Sequence, residues 1–364
     1  MCRSTVPMAG SFLSRHNVDL MRSIFHPQEE NPLWRCAPVR ITYLDRSKAE
    51  EWVADDRVMA AIAFGPRSAI DALDPRRVTV GLPELQAPGT VEVWYSGEPL
   101  TTGNSRGIFF VKNEAGLFAN LLLDETNYSD LTATTHEAYR RILGLVQEQG
   151  YPHVLRVWNY FPDINVETNG LERYKAFCVG RYRALKAIPD FERRLPAACA
   201  IGTQSPGFLI YFLAAKDPGV QVENPRQISA FRYPTHYAPK SPSFSRAILK
   251  RWANETCLYI SGTSSIVGHD TWHRRDTASQ LNETLNNLDA LIAHANRLAT
   301  GIQFRFSLLR TYIRKDEDLA AIKRQIAERF GEVPMLFLRG DTCRSDLLIE
   351  IEGVCVGAGP ARPF

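Results

Sequence analysis

What this chain lacks narrows its function before any motif is read. It lacks an excess of charge of either sign. Forty-three Lys and Arg stand against forty Asp and Glu, for a net charge of +3. That balance offers no basic face for nucleic acid and no polybasic anchor for a membrane, while leaving room for local Arg clusters around a small anionic ligand. No apolar run reaches the length needed to span a bilayer, and the N-terminal stretch does not follow the charged-then-apolar order of a secretory signal. The seven cysteines, at 2, 36, 178, 199, 257, 343 and 355, form neither a C-x-x-C nor a regular framework, which is the pattern of reduced thiols in a cytoplasmic protein. Also missing are a G-x-G-x-x-G after a strand, a Walker loop, an H-E-x-x-H and a G-x-S-x-G. His269 and His273 have the spacing of a metal pair, but they follow a strand rather than lie inside a helix, and Asp270 is the only carboxylate between them. No metal is expected there.

What is present is an ordinary globular composition, 45% apolar over 364 residues, long enough for two domains or one large α/β unit. Residues 1–38 have mixed charge and weak periodicity and read as an extension. From Val39 the pattern sharpens. Val91–Tyr95 and Gly107–Val111 predict two strands with a turn between them at Thr102-Gly103-Asn104. Leu117–Leu123 predicts the next strand and Thr134–Gln149 an amphipathic helix stopped by Gly150. A strand over His153–Tyr160, a helix over Leu171–Lys186 and a strand over Ile210–Ala214 complete the first unit.

A Pro-rich join from Tyr233 to Pro242 follows, and then a similar order returns. Leu258–Ile266 predicts a strand pair with a Gly bend. Thr277 and Gln280 form a capping box ahead of a helix with Leu281, Leu285, Leu288, Ile292 and Ala295 on one stripe. Phe304–Ile313 predicts a strand, Leu319, Ile322, Ile326 and Phe330 a helix ended by Gly331, and Leu347–Val354 the last strand. The fold class is therefore α+β, with two related units side by side. Each sheet has one face covered by its two helices and the other free to meet its neighbour and form a cleft.

Three runs could carry chemistry. Cys343-Arg344-Ser345-Asp346-Leu347-Leu348-Ile349-Glu350-Ile351-Glu352 sets carboxylates inside an apolar strand. There they are either paired or held protonated, and a protonated carboxyl at neutral pH is a proton donor. The plainer alternative is an amphipathic edge strand with Glu350 and Glu352 on one face, opposite Ile349 and Ile351. The segment from Arg156 through Tyr160 to Phe177 is dense in Asn, Tyr and Arg just after a strand end, where open α/β sites collect their ligands. It reads equally as a strand exit with solvent-facing charges. In the Pro-rich join, Tyr233, Tyr237 and Arg246 either face a cavity or plug the domain seam.

Together these runs resemble a known family. Residues 248–356 look like the YjgF/RidA fold, in Ser261-Gly262-Thr263-Ser264-Ser265-Ile266, the helix through Asn282–Leu291 and the closing Cys343–Glu352 strand. Adding Trp158-Asn159-Tyr160, Gly170-Leu171-Glu172-Arg173-Tyr174, Asn224-Pro225-Arg226-Gln227 and Ser241-Pro242-Ser243-Phe244-Ser245-Arg246 makes the chain similar to the chorismatases over about residues 40–356. The resemblance implies two YjgF/RidA-like units in one chain, the N-terminal one over 39–245 with insertions and the C-terminal one over 246–358.

It also implies an enzyme that cleaves chorismate to pyruvate and 3-hydroxybenzoate, with 4-hydroxybenzoate as a further product. Glu350 sits where the family has the acid that protonates the enolpyruvyl methylene, and Glu352 is its runner-up. Gly262 and Cys343 match the hydroxybenzoate-forming branch, whereas the hydrolysing branch carries a bulkier Ala at the former position. Arg173, Arg181 and Arg246 would bind carboxylates, with Tyr160, Tyr174, Tyr211 and Tyr233 supplying hydroxyls. Such chemistry calls for no metal, nucleotide or organic cofactor, and two fused units favour a monomer. Other readings are a chorismate hydrolase yielding a dihydroxycyclohexadiene carboxylate, a RidA-like imine deaminase, and a non-enzymatic binder of acidic or aromatic metabolites. The deaminase reading sits poorly with a chain about two hundred residues longer than the short single-domain trimers of that kind.

Overall fold

Alternating and continuous apolar runs from residue 40 onward build three sheets. The computed structural model describes residues 38–47, 54–86, 89–235, 237–315 and 319–358. All but the last residue of the expected N-terminal extension, with Cys2 and Cys36, lie outside the described residues. The first sheet is formed by β1 (Arg40–Asp45), β2 (Val58–Phe64), β3 (Ala69–Ile70), β4 (Arg77–Val80) and β5 (Thr90–Tyr95), in the order β1-β5-β2-β4-β3.

The second sheet contains β6 (Thr101–Ser105), β7 (Ile108–Lys112), β8 (Gly116–Leu123) and β9 (His153–Pro162). A two-stranded ribbon of β10 (Glu167–Thr168) and β11 (Leu171–Glu172) precedes its last members, β12 (Ala197–Thr203) and β13 (Phe208–Ala215). The order is β12-β9-β13-β8-β7-β6. Every residue of β13 is buried, as a central strand covered on both faces requires. Helices α1 (Leu131–Gln149) and α2 (Arg173–Leu185) cover one side.

The third sheet repeats the plan with β14 (Val220–Val222), β15 (Ala247–Arg251), β16 (Thr256–Thr263), β19 (Gln303–Ile313), β20 (Met335–Arg339) and β21 (Ile349–Ala358). Between β16 and β19 come a small hairpin, β17 (Ile266–Val267) with β18 (Asp270–Thr271), and helix α3 (Thr277–Leu298). Helix α4 (Leu319–Phe330) joins β19 to β20. The order is β14-β15-β16-β21-β19-β20.

One core lies between each six-stranded sheet and its helices. A third fills the space where the helix-free faces meet the first sheet, around Trp94, Phe118, Trp158, Tyr211 and Tyr312. The α+β class with two like units is what the sequence predicts. The five-stranded sheet over 40–95 is an addition. Among the described residues no helix is long and apolar enough to cross a membrane.

Three expectations are corrected. Val91–Tyr95 does not pair with the strand over 108–112. As β5 it lies between β1 and β2, and Thr102-Gly103-Asn104 belongs to β6, hydrogen-bonded to β7. Gly103 is there because the Phe110 ring lies across it, and a Cβ would come to 2.9 Å from Cε1. A glycine inside a strand marks such a close approach. The capping box is also absent: Asp276 caps α3 by accepting from the Ser279 N–H at 3.0 Å. Gln280 instead turns inward, donating to the Asp346 carbonyl at 2.8 Å and accepting from the Leu348 N–H at 2.8 Å, which pins the start of the last strand to α3. Finally, β21 is not an edge strand. It lies between β16 and β19, so both its edges are hydrogen-bonded to neighbours.

The units join along β12 and β16. Ser261 Oγ accepts from the Ala198 N–H at 2.8 Å and donates to the Ser245 carbonyl at 2.6 Å. That seam positions the site.

Candidate active site

A central strand can bury a carboxyl only if the neighbouring strand makes room. Opposite Glu352, β16 carries a bulge between Ile260 and Thr263, and Gly262 within it has no side chain to occupy the space. A Cβ at Gly262 would overlap the Glu350 carboxyl, coming to 2.5 Å from its Cδ. Glu350 is 5% exposed, and the Ser264 Oγ donates to its Oε2 at 3.5 Å. Burial first, and the charge of Glu352 second, push the Glu350 carboxyl up to about 8, against the weaker pull of Arg156, Ser264 and Arg314. At neutral pH this group carries a proton.

That proton faces a cavity of about 350 Å³ lined by Tyr174, Tyr233, Arg246, Gly262, Cys343 and Glu350, together with Tyr237, Ser264 and Arg344. A smaller recess of about 40 Å³, sharing Tyr174, Gly262, Cys343 and Glu350, leads inward to Arg181. Three arginines thus surround the acid, and each is held by geometry.

Arg246 is buried ahead of β15; its Nη2 donates to the Tyr233 hydroxyl at 2.7 Å and to the Ile228 carbonyl at 3.0 Å, leaving Nε without a partner. Arg344 lies between the rings of Tyr233 and Tyr237, at 5.4 and 4.5 Å from their centroids. Its Nη1 donates to the His269 carbonyl at 2.9 Å. Arg181 is 2% exposed, stacked at 4.9 Å on Tyr139, with Nε and Nη2 both unpartnered. Buried guanidinium N–H groups without acceptors are costly, and a bound carboxylate would satisfy them bidentately.

The acidic residues on the cavity wall do not cancel this charge. Asp346 is paired with Arg274 at 3.1 Å and Glu172 with Lys175 at 3.6 Å. Burial pushes the Cys343 thiol up to about 12, so it lines the wall as a neutral group rather than a thiolate nucleophile.

The structure does not bring every expected residue here. Arg173 spends its guanidinium on Glu125 at 2.6 Å and the Pro162 carbonyl at 2.9 Å. Tyr160 and Tyr211 lie in the central core, where their hydroxyls accept from Arg310 Nη1 at 2.7 and 2.8 Å. The structure does not bring these three to the cavity, and their polar atoms find partners away from it. His269 and His273 do not converge: His269 Nδ1 lies 3.0 Å from the Tyr237 hydroxyl and His273 Nε2 3.6 Å from Glu283. Among the described residues no group of three or more His, Cys, Asp or Glu could hold a metal ion.

Sequence reasoning missed Arg344 and Ser264 as site residues. Their signal was adjacency alone: Arg344 follows Cys343, and Ser264 follows Gly262-Thr263.

Known proteins resemble this chain over most of its length. A family model described as Chorismatase FkbO/Hyg5-like, N-terminal, matches residues 92–214. A 3-hydroxybenzoate synthase of Streptomyces hygroscopicus is 34% identical over 293 residues, covering 75% of this chain and 86% of the relative. A chorismatase of Streptomyces rapamycinicus is 36% identical over 273 residues, covering 72% of this chain and 81% of the relative. A crystal structure of a chorismatase superposes with a TM-score of 0.78 at 30% identity, covering 88% of this chain and 98% of that one.

Proposed function

The chain belongs to the chorismatase family, and from that premise we propose that it cleaves chorismate to pyruvate and 3-hydroxybenzoate with Glu350 as the proton donor. The observation that carries the reading is a buried, proton-bearing carboxyl on the wall of a cavity ringed by arginines. Chorismate brings two carboxylates, a ring hydroxyl and an enolpyruvyl ether. Arg246 with Tyr233, Arg344 and the inner Arg181 offer the cationic contacts two carboxylates need. A carbon acceptor calls for a neutral acid in direct reach.

In the proposed reaction Glu350 gives its proton to the enolpyruvyl methylene. The ether bond between the ring and the pyruvyl oxygen breaks, and its electron pair becomes the pyruvate carbonyl. The ring hydroxyl oxygen bonds to the ring carbon that loses pyruvate, giving an arene oxide that opens to 3-hydroxybenzoate. The hydroxyl proton makes good the one Glu350 gave, so the overall change consumes no water. Opening of the oxide in the other direction would add 4-hydroxybenzoate. Both units contribute to the cavity wall from one chain, so we propose a monomer, divided at about residue 245, as the working form. Chorismate incubated with the protein, with products separated by chromatography, tests the reaction. Pyruvate and 3-hydroxybenzoate support it, and a non-aromatic diene acid overturns it in favour of hydrolysis.

The acid role fixes the pH dependence. Glu350 must be protonated, and its carboxyl is raised to about 8. So kcat/KM is expected to hold from about pH 6 to neutrality and to fall about tenfold per unit well above 8. A profile still flat at pH 10 removes Glu350 from the role.

Gly262→Ala bears on the branch of the reaction. The new methyl would displace the Glu350 carboxyl and change where water can sit beside it. The dihydroxycyclohexadiene carboxylate is therefore expected to rise at the expense of hydroxybenzoate. An unchanged product ratio dissociates Gly262 from the choice.

A further inference from the structure

Glu352 is two residues beyond the acid on β21, on the same face, about 7 Å along the strand. It is buried with its side chain 4% exposed, and four groups from two strands, β9 and β19, converge on it. Arg156 of β9 pairs with Oε2. Oε1 receives the Trp158 indole N–H at 2.9 Å and the Tyr312 hydroxyl at 2.9 Å, and Arg310 Nη1 stands 3.2 Å away. None of these groups lines the cavity beside Glu350. So many donors on one buried carboxylate hold its position and set cations and N–H and O–H groups against it.

We propose that Glu352 is a positioning residue for the reaction: a fixed buried anion, clamped by Arg156, Trp158, Tyr312 and Arg310, whose field keeps the proton on Glu350. The inference rests on the acid role proposed for Glu350.

Without it, burial alone would stand against the cations around the acid. Arg156 faces Glu350 from β9, Arg181 from α2, Arg246 from just ahead of β15, Arg314 from just past β19, and Arg344 from the segment before β21. Asp346 on that segment is committed to Arg274. The other titratable neighbours, Tyr174, Cys199 and Cys343, are neutral because burial raises all three. Asp341 is paired with Arg314 at 2.6 Å, and burial raises Glu223 beside Arg246, so Glu352 is the carboxylate on the acid's own strand set against the remaining cations. Consistently, its charge is the second largest influence raising Glu350 after burial, and Arg156 is the first influence opposing it. The clamped pair acts on the acid with opposite signs, Glu352 holding the proton on and Arg156 pulling it off.

Opposite signs give a test that mere structural damage cannot imitate. The carboxylic-acid infrared band that disappears in Glu350→Gln identifies the group, and its midpoint is followed from pH 5 to 10 in the intact protein. Glu352→Gln is expected to lower the midpoint by about one unit or more, and Arg156→Gln to raise it. In turnover, Glu352→Gln then loses about fivefold more at pH 8 than at pH 6. Arg156→Gln keeps three of the four groups around Glu352 and remains a usable reporter should Glu352→Gln not fold. Midpoints that move in the same direction, or not at all, overturn the inference. Wild-type turnover in Glu350→Gln would instead overturn the acid role, whatever the midpoints do.

Discussion

Glu350→Gln is expected to lower chorismate turnover on the order of 100-fold or more while leaving the fold intact. The two halves of that expectation come from the same fact. Because burial keeps Glu350 protonated at neutral pH, replacing a neutral acid by a neutral amide of the same shape changes no buried charge. Its Ser264 contact at 3.5 Å and the open space at Gly262 are both retained. What disappears is the transferable proton, which an amide cannot supply to a carbon. Single-turnover pyruvate release should therefore collapse, while chorismate binding and the thermal unfolding temperature stay close to wild type. Loss of binding in step with turnover would mean that Glu350 holds substrate rather than protonates it. Activity near wild type would move the acid elsewhere.

The features that led to this residue were legible because they violate a local rule. A carboxylate in Leu347-Leu348-Ile349-Glu350-Ile351 has no reason to exist in a plain strand, so the run had to be either an amphipathic edge or a functional strand. Alternation alone could not choose, since Glu350 and Glu352 share a face in both cases. Strand order decided it, and strand order is set by residues far apart in sequence. The same limit explains the misplaced hairpin: Val91–Tyr95 reads correctly as a strand, but its partners are fixed by β1 and β2. Those lie in a stretch where β3 has two residues and β4 four, too short for periodicity to register.

Capping failed for a different reason. Asp276, Thr277 and Gln280 all favour a helix start, and only packing shows that Gln280 is needed under the last strand. The arginines were the hardest to place. An Arg shows its charge in the sequence but not its acceptor. Arg173 and Arg181, eight positions apart on one helix, end respectively in a finished salt bridge and in an unsatisfied recess.

Arg310 is the residue whose loss should cost the fold most. It lies on β19, 2% exposed, at the point where the three sheets meet. Nη2 donates to Glu92 of β5 at 2.5 Å, and Nη1 donates to Tyr160 of β9 and Tyr211 of β13 at 2.7 and 2.8 Å. Its guanidinium also stacks 5.0 Å from the Phe64 ring of β2. Glu92 in turn accepts from the Trp94 indole at 2.9 Å. Arg310→Ala would strand Glu92 without this cation and leave Glu352 with Arg156, Trp158 and Tyr312, with a void beneath Phe64. Breaking one side of a buried ion pair costs roughly 3–5 kcal/mol, and denaturant unfolding should show a loss of that size with all three sheets affected together. Arg310→Met with Glu92→Gln removes both charges at once and should recover part of the loss, because a buried pair is held in place by the penalty of separating it more than by its own attraction. A loss below about 1 kcal/mol for Arg310→Ala would mean that the central apolar core, not this network, joins the sheets. Tyr160 and Tyr211 would then have no structural claim on Arg310.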